Sequence, residues 1–200
     1  MYSSNSEIRS KARAMLGNGI FARNWLMIVL MISVISIIVG AANYIGCGLG
    51  SLLLSGPLYI GLYNVLLNMS RGEEDIRFES VFEGCYKFGP NLVLGVMHTL
   101  IIMLWSLLFI IPGIIRSYSL SLAYYIRNDH PEYTWRQCLD ASEQMMQGHK
   151  WRLFKLHFSF LGWTLLSVLT LGIGSIWVTA YKQAATTVFY EDLKANSMYL

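Results

Sequence analysis

The sequence predicts an all-α polytopic membrane protein, with six transmembrane helices in three hairpins and amphipathic interfacial helices between them. Three observations predict it. The 200 residues are 54% hydrophobic and only 14% charged, whereas a soluble domain carries roughly 25% charged residues. Mean hydropathy is +0.45. The charges are also unevenly spread. Residues 24–70 and 88–115 carry none, and residues 156–181 carry nothing titratable near neutrality except His157. About 20 residues of helix cross a hydrocarbon core of roughly 30 Å, so uncharged runs of this length read as spans. A soluble enzyme, a disordered chain, a collagen-like repeat and a disulfide scaffold are excluded.

Residues 1–23 read as a cytoplasmic amphipathic leader. Ile8, Ala12, Met15 and Leu16 line one side, and Glu7, Arg9, Lys11 and Arg13 take most of the rest. Hairpin 24–69 follows, with spans near Asn24–Ile45 and Ser51–Met69 joined by Gly46-Cys47-Gly48-Leu49-Gly50. The apolar run from Trp25 continues well past the about 7–15 residues of a secretory signal core, so it reads as a retained span. Pro57 beside Gly56 predicts a kink in the second span. Residues 70–90 form a polar loop, in which Phe78, Val81, Phe82, Cys85 and Tyr86 fall at helical apolar spacing.

Hairpin 91–126 has a third span near Asn91–Ile111, a turn at Pro112-Gly113, and a short fourth span near Ile114–Ile126. That span carries Arg116, Ser117, Ser119 and Ser121. The cytoplasmic segment 127–155 holds a stripe of Trp135, Cys138, Leu139, Ser142, Met145 and Met146, ended by Gly148. Such a stripe suits a helix lying on the membrane. Hairpin 156–190 comprises spans near Leu156–Leu171 and Ser175–Tyr190 around Gly172-Ile173-Gly174, and residues 191–200 form a tail. An amphipathic segment before each hairpin suggests a threefold internal repeat.

Basic residues test this threading. Fourteen of the fifteen Lys and Arg lie in the leader, in the two polar segments or near the C-terminus, while Arg116 alone lies near a tip. The positive-inside rule then predicts that both termini and both polar segments are cytoplasmic. Cys47 falls on the opposite side from Cys85 and Cys138, and no CxxC spacing occurs, so neither a disulfide framework nor a zinc site is expected.

The later half has the most distinctive order. Ile111-Pro112-Gly113-Ile114 leads through Arg116 and Tyr118 to Tyr124-Tyr125-Ile126. Then come Ala141-Ser142, Met146, Gly148-His149-Lys150-Trp151, Leu153-Phe154, Ser159-Phe160, Gly162-Trp163, Leu169-Thr170, Tyr181 and Phe189-Tyr190. This pattern resembles a bacterial integral-membrane family known as domain of unknown function 975. The resemblance covers essentially the whole chain. It implies a multi-pass protein of the bacterial inner membrane and brings no established activity. One departure is visible, since Ala180 stands where the pattern has a proline before Tyr181.

Enzyme signatures are sparse. HExxH, GxSxG and GxxxxGK[ST] are absent, and no catalytic, metal-binding or cofactor-binding residue is assigned. Asp129-His130-Pro131-Glu132 reads as a solvated turn rather than a metal site. The spans carry no Asp or Glu, which argues against a proton-driven pump. His98 and His157 read as packed or interfacial side chains. Asn43 and Asn64 are candidates for hydrogen bonds between helices, and Ser36/Gly40, Ser51/Ser55 and Ala180/Ala184 for close helix packing.

Two places are candidate contacts for an anion or a lipid headgroup. Arg116 and Tyr118 lie beyond Pro112-Gly113, where the arginine either snorkels to the outer interface or binds an anion. His149, Lys150, Trp151, Arg152 and Lys155 form a basic aromatic collar suited to anionic headgroups. The expected partners are the lipid bilayer and a second copy or another membrane protein. Nucleic acid is not expected, because acidic residues interleave both polar segments. A structural or accessory membrane role leads, with a small transporter, channel or exporter component as the alternative and a lipid-acting enzyme third.

Overall fold

The computed structural model describes residues 2–17, 22–45, 49–73, 77–169 and 173–196, and every element among them is helical. Helix α1 (Asn5–Leu16) opens on a capping box, in which Ser4 accepts from the Glu7 amide while the Glu7 carboxylate accepts from the Ser4 amide. Then come α2 (Arg23–Ile45), α3 (Leu49–Ser70), a 3-10 segment (Phe78–Cys85) and α4 (Phe88–Leu108). The later half comprises α5 (Ile110–Leu120), α6 (Ala123–Asp129), α7 (Trp135–Met145), α8 (Lys150–Phe158), α9 (Leu161–Leu169) and α10 (Ile173–Asn196). By length and composition α2, α3 and α4 can each cross a membrane. Of the expected tips at 46–50 and 172–174, residues 46–48, Cys47 among them, and residue 172 lie outside the described residues.

The second half is more broken than its hydropathy suggests. The chain turns at Phe109, three residues before the expected Pro112-Gly113. Pro112 sits instead in the first turn of α5, where a missing backbone N–H costs no helical bond. The expected fourth span is two pieces, α5 and α6, and the expected fifth is also two, α8 and α9. Both breaks have a serine beside them. Ser121 donates to the Tyr118 carbonyl at 2.9 Å and Ser159 to the Leu156 carbonyl at 2.6 Å. Such local bonds compete with the helical ladder. Pro57, by contrast, stays inside an unbroken α3, and α10 runs straight through Ala180.

Two of the amphipathic segments have apolar faces that meet protein rather than lying open to a membrane. Ile8, Ala12 and Leu16 of α1 are fully buried, mainly against α10. The α7 stripe is covered by α4, α5 and α6, with Cys138, Leu139, Ser142, Met145 and Met146 all buried. Among these, Ser142 donates to the Ser119 carbonyl at 2.9 Å. The third segment departs from the helical period. Val81 and Gly84 are buried three residues apart, while Phe82 and Tyr86 are exposed, as 3-10 geometry dictates. Gly17 and Gly148 end α1 and the α7 segment with positive φ, +99° and +77°, which glycine adopts most readily.

Helix α3 is the packing centre. Half of its most apolar stretch is buried, against 28% for α2 and 17% for α4. Glycines bring it within backbone contact of its neighbours. A Cβ at Gly61 would lie 1.8 Å from the Val81 carbonyl oxygen, and one at Gly84 would lie 2.0 Å from that of Pro57. Gly56 and Gly95 meet likewise where α3 crosses α4. Gly40, expected at a close contact, has open space around it.

Gly61→Ala is therefore expected to lower stability in detergent by about 1–3 kcal/mol through overpacking. Gly40→Ala should be neutral or stabilising by up to about 1 kcal/mol, from helix propensity. Thermal unfolding followed by circular dichroism reads both.

Candidate functional site at the polar end

The ends of α3, α6 and α10 converge on one carboxylate. Asp129 accepts from Arg71 at 2.7 Å, Lys194 at 2.5 Å and Tyr190 Oη at 2.8 Å. Arg71 also donates to Glu191 at 3.0 Å. One turn away, Arg152 donates to Asp192 at 2.6 Å and to the Ser3 carbonyl, and the Ser3 amide donates back to Asp192 at 3.0 Å. Arg152 also lies over the rings of Tyr2 and Phe189. This clasp joins the leader, both polar connectors and the C-terminal turn of α10.

Burial alone would raise the Asp129 carboxyl, but the bonds from Lys194, Arg71 and Tyr190 outweigh it and hold the group below its ordinary value. Asp192 behaves alike, with burial opposed by Ser3 and Arg152. The expected solvated turn at Asp129-His130-Pro131-Glu132 is thus corrected at its first residue, whose side chain is 5% exposed. His130 pairs with Glu132 at 3.1 Å. Among the described residues no cluster of three metal-ligating side chains forms.

Beside the clasp lies a polar cleft of about 410 Å³ between α3, the 3-10 segment, α4 and α6. Arg127 is buried there, donating from Nε to Asn91 Oδ1 at 2.9 Å and from Nη1 to the Tyr133 carbonyl at 2.5 Å. The Asn91 amide donates in turn to the Gly84 carbonyl at 2.7 Å, which fixes its orientation. Asn64 donates to Glu83 at 3.0 Å and Asn128 to the Ile60 carbonyl at 3.0 Å. Lys87 adds a second cation to the lining. Among the described residues the cleft lining has one carboxylate, Glu83. It offers donors and positive charge for recognition.

The sequence-predicted contacts lie elsewhere. Arg116 pairs with Glu143 of α7, so a residue expected near an outer tip meets a residue of the polar connector. Tyr118 packs on Phe154 and His157 of α8, at 6.0 and 5.6 Å between ring centres. The collar divides. Arg152 turns inward to the clasp, and the His149 ring packs tilted against Tyr2, 4.6 Å between centres. Burial, aided by the Arg152 charge, keeps the His149 imidazole below its ordinary value. Trp151 and Lys155 face outward, with Lys155 over the indole at 5.7 Å, and Lys150 is half-buried. Sequence reasoning overlooked Arg127 and Asn91 as site residues and gave Asp129 only to a solvated turn. A basic residue directly after an apolar run, two residues before a carboxylate, was the available signal.

The chain matches the family described as "Protein of unknown function (DUF975)" over residues 1–120 and 107–197. It belongs to that family. No curated protein and no solved structure matches it.

Both clasp carboxylates have depressed pKa values, so their stabilisation is complete above the ordinary value of 3.8 and is lost as pH falls through the folded values. The melting temperature should hold from pH 7 to 5 and drop below about pH 4. Asp129→Asn should cost about 2 kcal/mol at pH 7, because Arg71 and Lys194 are exposed enough to rehydrate, and should flatten the acid limb of the melting profile.

Proposed function

We propose that this DUF975 member is a multi-pass protein of the bacterial cytoplasmic membrane with a structural or accessory role, contacting lipid and a second copy or another membrane protein. The observation that carries this reading is the belt of exposed apolar side chains. Met103, Leu107, Phe109, Ile110 and Ile111 are 63–80% exposed, and Trp163, Leu165 and Leu166 of α9 are also exposed. A monomer in water rarely presents so large an apolar surface. The interior charges support the same reading, because Arg116, Asp129 and Arg152 are each held by a carboxylate or basic partner within the fold.

Six crossings remain the threading we propose. Beyond α2, α3 and α4, the broken arms α5–α6 and α8–α9 supply the fourth and fifth, and α10 supplies the sixth. At 1.5 Å per residue, residues 110–126 measure about 25 Å and residues 156–169, beyond the collar, about 21 Å, so both arms are short for a crossing of about 30 Å. The clasp supports this orientation, since Ser3, Arg71, Asp129, Arg152 and Lys194 sit together, as cytoplasmic termini and connectors require. On this reading Trp151 and Lys155 of the collar face anionic headgroups.

One observation favours a second reading, a transporter or exporter component: the polar cleft reaches the buried Arg127. A flux assay separates the two. Reconstituted into vesicles of phosphatidylethanolamine and phosphatidylglycerol, the chain should pass chloride, phosphate and protons no faster than protein-free vesicles do. Saturable flux abolished by Arg127→Gln would replace the accessory reading with the transporter.

A further inference from the structure

We propose that the leader helix α1 carries a binding site for the phosphate of an anionic phospholipid, distinct from both the polar cleft and the collar. The site is a cavity of about 250 Å³ lined by Ser6, Arg9, Ser10 and Arg13 of α1 and by Phe160, Trp163 and Tyr181. The four polar residues stand at i, i+3, i+4 and i+7, so they share one helix face. Ile8, Ala12 and Leu16 are buried on another face of the same helix.

The charge is uncompensated. Among the described residues neither Arg9 nor Arg13 forms an ion pair, and no carboxylate lines the cavity. Glu7, the nearest acidic residue in sequence, is engaged by the Ser4 amide at 2.6 Å. The clasp carboxylates already have cations, since Asp129 holds Arg71 and Lys194 and Asp192 holds Arg152. Two free guanidinium groups with two hydroxyls suit a phosphodiester, which accepts bidentate hydrogen bonds.

The position is fixed rather than loose. Tyr181 Oη donates to the Arg9 carbonyl at 3.0 Å, and the Arg13 guanidinium lies 5.9 Å from the Tyr181 ring centre. Phe160 packs edge-on against the same ring at 4.9 Å. Trp163 is half exposed at the cavity rim, and Leu166 follows three residues later on exposed α9. A headgroup at the arginines would therefore lead its acyl chains onto an apolar surface. The volume points the same way. It falls below the roughly 300–1,000 Å³ of pockets that enclose a whole ligand, so it takes a headgroup and leaves the chains outside. Free phosphate shares the headgroup chemistry but has no use for that adjoining surface.

This inference rests on the membrane reading above, and the test keeps the two separable. The full chain is purified in mild detergent, delipidated, and examined by native mass spectrometry after addition of phosphatidylglycerol, phosphatidylcholine or inorganic phosphate. One phosphatidylglycerol should be retained per chain at least tenfold more strongly than phosphatidylcholine, and millimolar inorganic phosphate should not displace it. The double variant Arg9→Gln/Arg13→Gln should lose that preference with helix content and elution volume unchanged, while Arg136→Gln, at an exposed cation of α7, should keep it. Undiminished retention by the double variant, equal loss in the Arg136→Gln variant, or displacement by free phosphate would each overturn the lipid site. Should the double variant fail to fold, Ser6→Ala/Ser10→Ala serves instead, with a fall in preference of about threefold or more expected and none overturning the site. Extraction of membranes with alkaline carbonate tests the underlying reading. Release of the chain there overturns the membrane assignment, whereas a retained chain without lipid preference overturns the site alone.

Discussion

The three-way capture of Asp129 is the interaction on which the polar end of the molecule depends. Arg71 follows the end of α3, Asp129 ends α6, and Tyr190 and Lys194 lie on the last turns of α10. Elements separated by more than a hundred residues are held at one level by a single buried carboxylate. Buried charge is costly unless paired and hydrogen-bonded, so the arrangement persists only while its donors do. The neighbouring pair of Arg152 and Asp192 adds the N-terminal strand of chain through Ser3. Ionic contacts thus close the end that helix packing alone leaves open.

Glycine contact does the complementary work along α3. Gly61 against Val81 and Gly84 against Pro57 leave no room for a side chain, and this close approach presses the 3-10 segment onto α3. It also brings Gly84 to Asn91, and Asn91 to Arg127. The polar cleft is therefore a product of backbone packing as much as of its charged residues. Van der Waals contact between small residues is an effective way to join helices where the surroundings are as apolar as the side chains.

How much of this was legible in the sequence follows from which physics sets each feature. The bounds of α2 and α3 could be read because long uncharged runs and flanking glycines define them locally. The amphipathic leader and the α7 stripe could be read as helices, but periodicity says only that a face is buried. Whether lipid or protein covers it depends on tertiary contacts, and protein covers both. The serine breaks at 121 and 159 were not legible, since the same serines sit unbroken inside other helices, as Ser33 and Ser36 do in α2. The 3-10 period at Val81 and Gly84 was hidden because spacings of three and four coincide over so short a stretch. The clasp and the Arg127–Asn91 bond join distant parts of the chain, and no local pattern announces such a pairing. The sequence did show that basic residues avoid the expected tips, and the structure brings three of them, Arg71, Arg152 and Lys194, to the clasp carboxylates.

The measurement that bears most directly on this account is the sidedness of the clasp. Single cysteines at positions 75, 140, 173 and 197, introduced where Cys47, Cys85 and Cys138 are replaced by serine, are exposed in intact cells to a membrane-impermeant maleimide. The account predicts labelling at 173 alone, with 75, 140 and 197 reacting only after the inner membrane is opened. Labelling of residue 140 from outside an intact cell would place the two polar connectors on opposite faces and contradict the account.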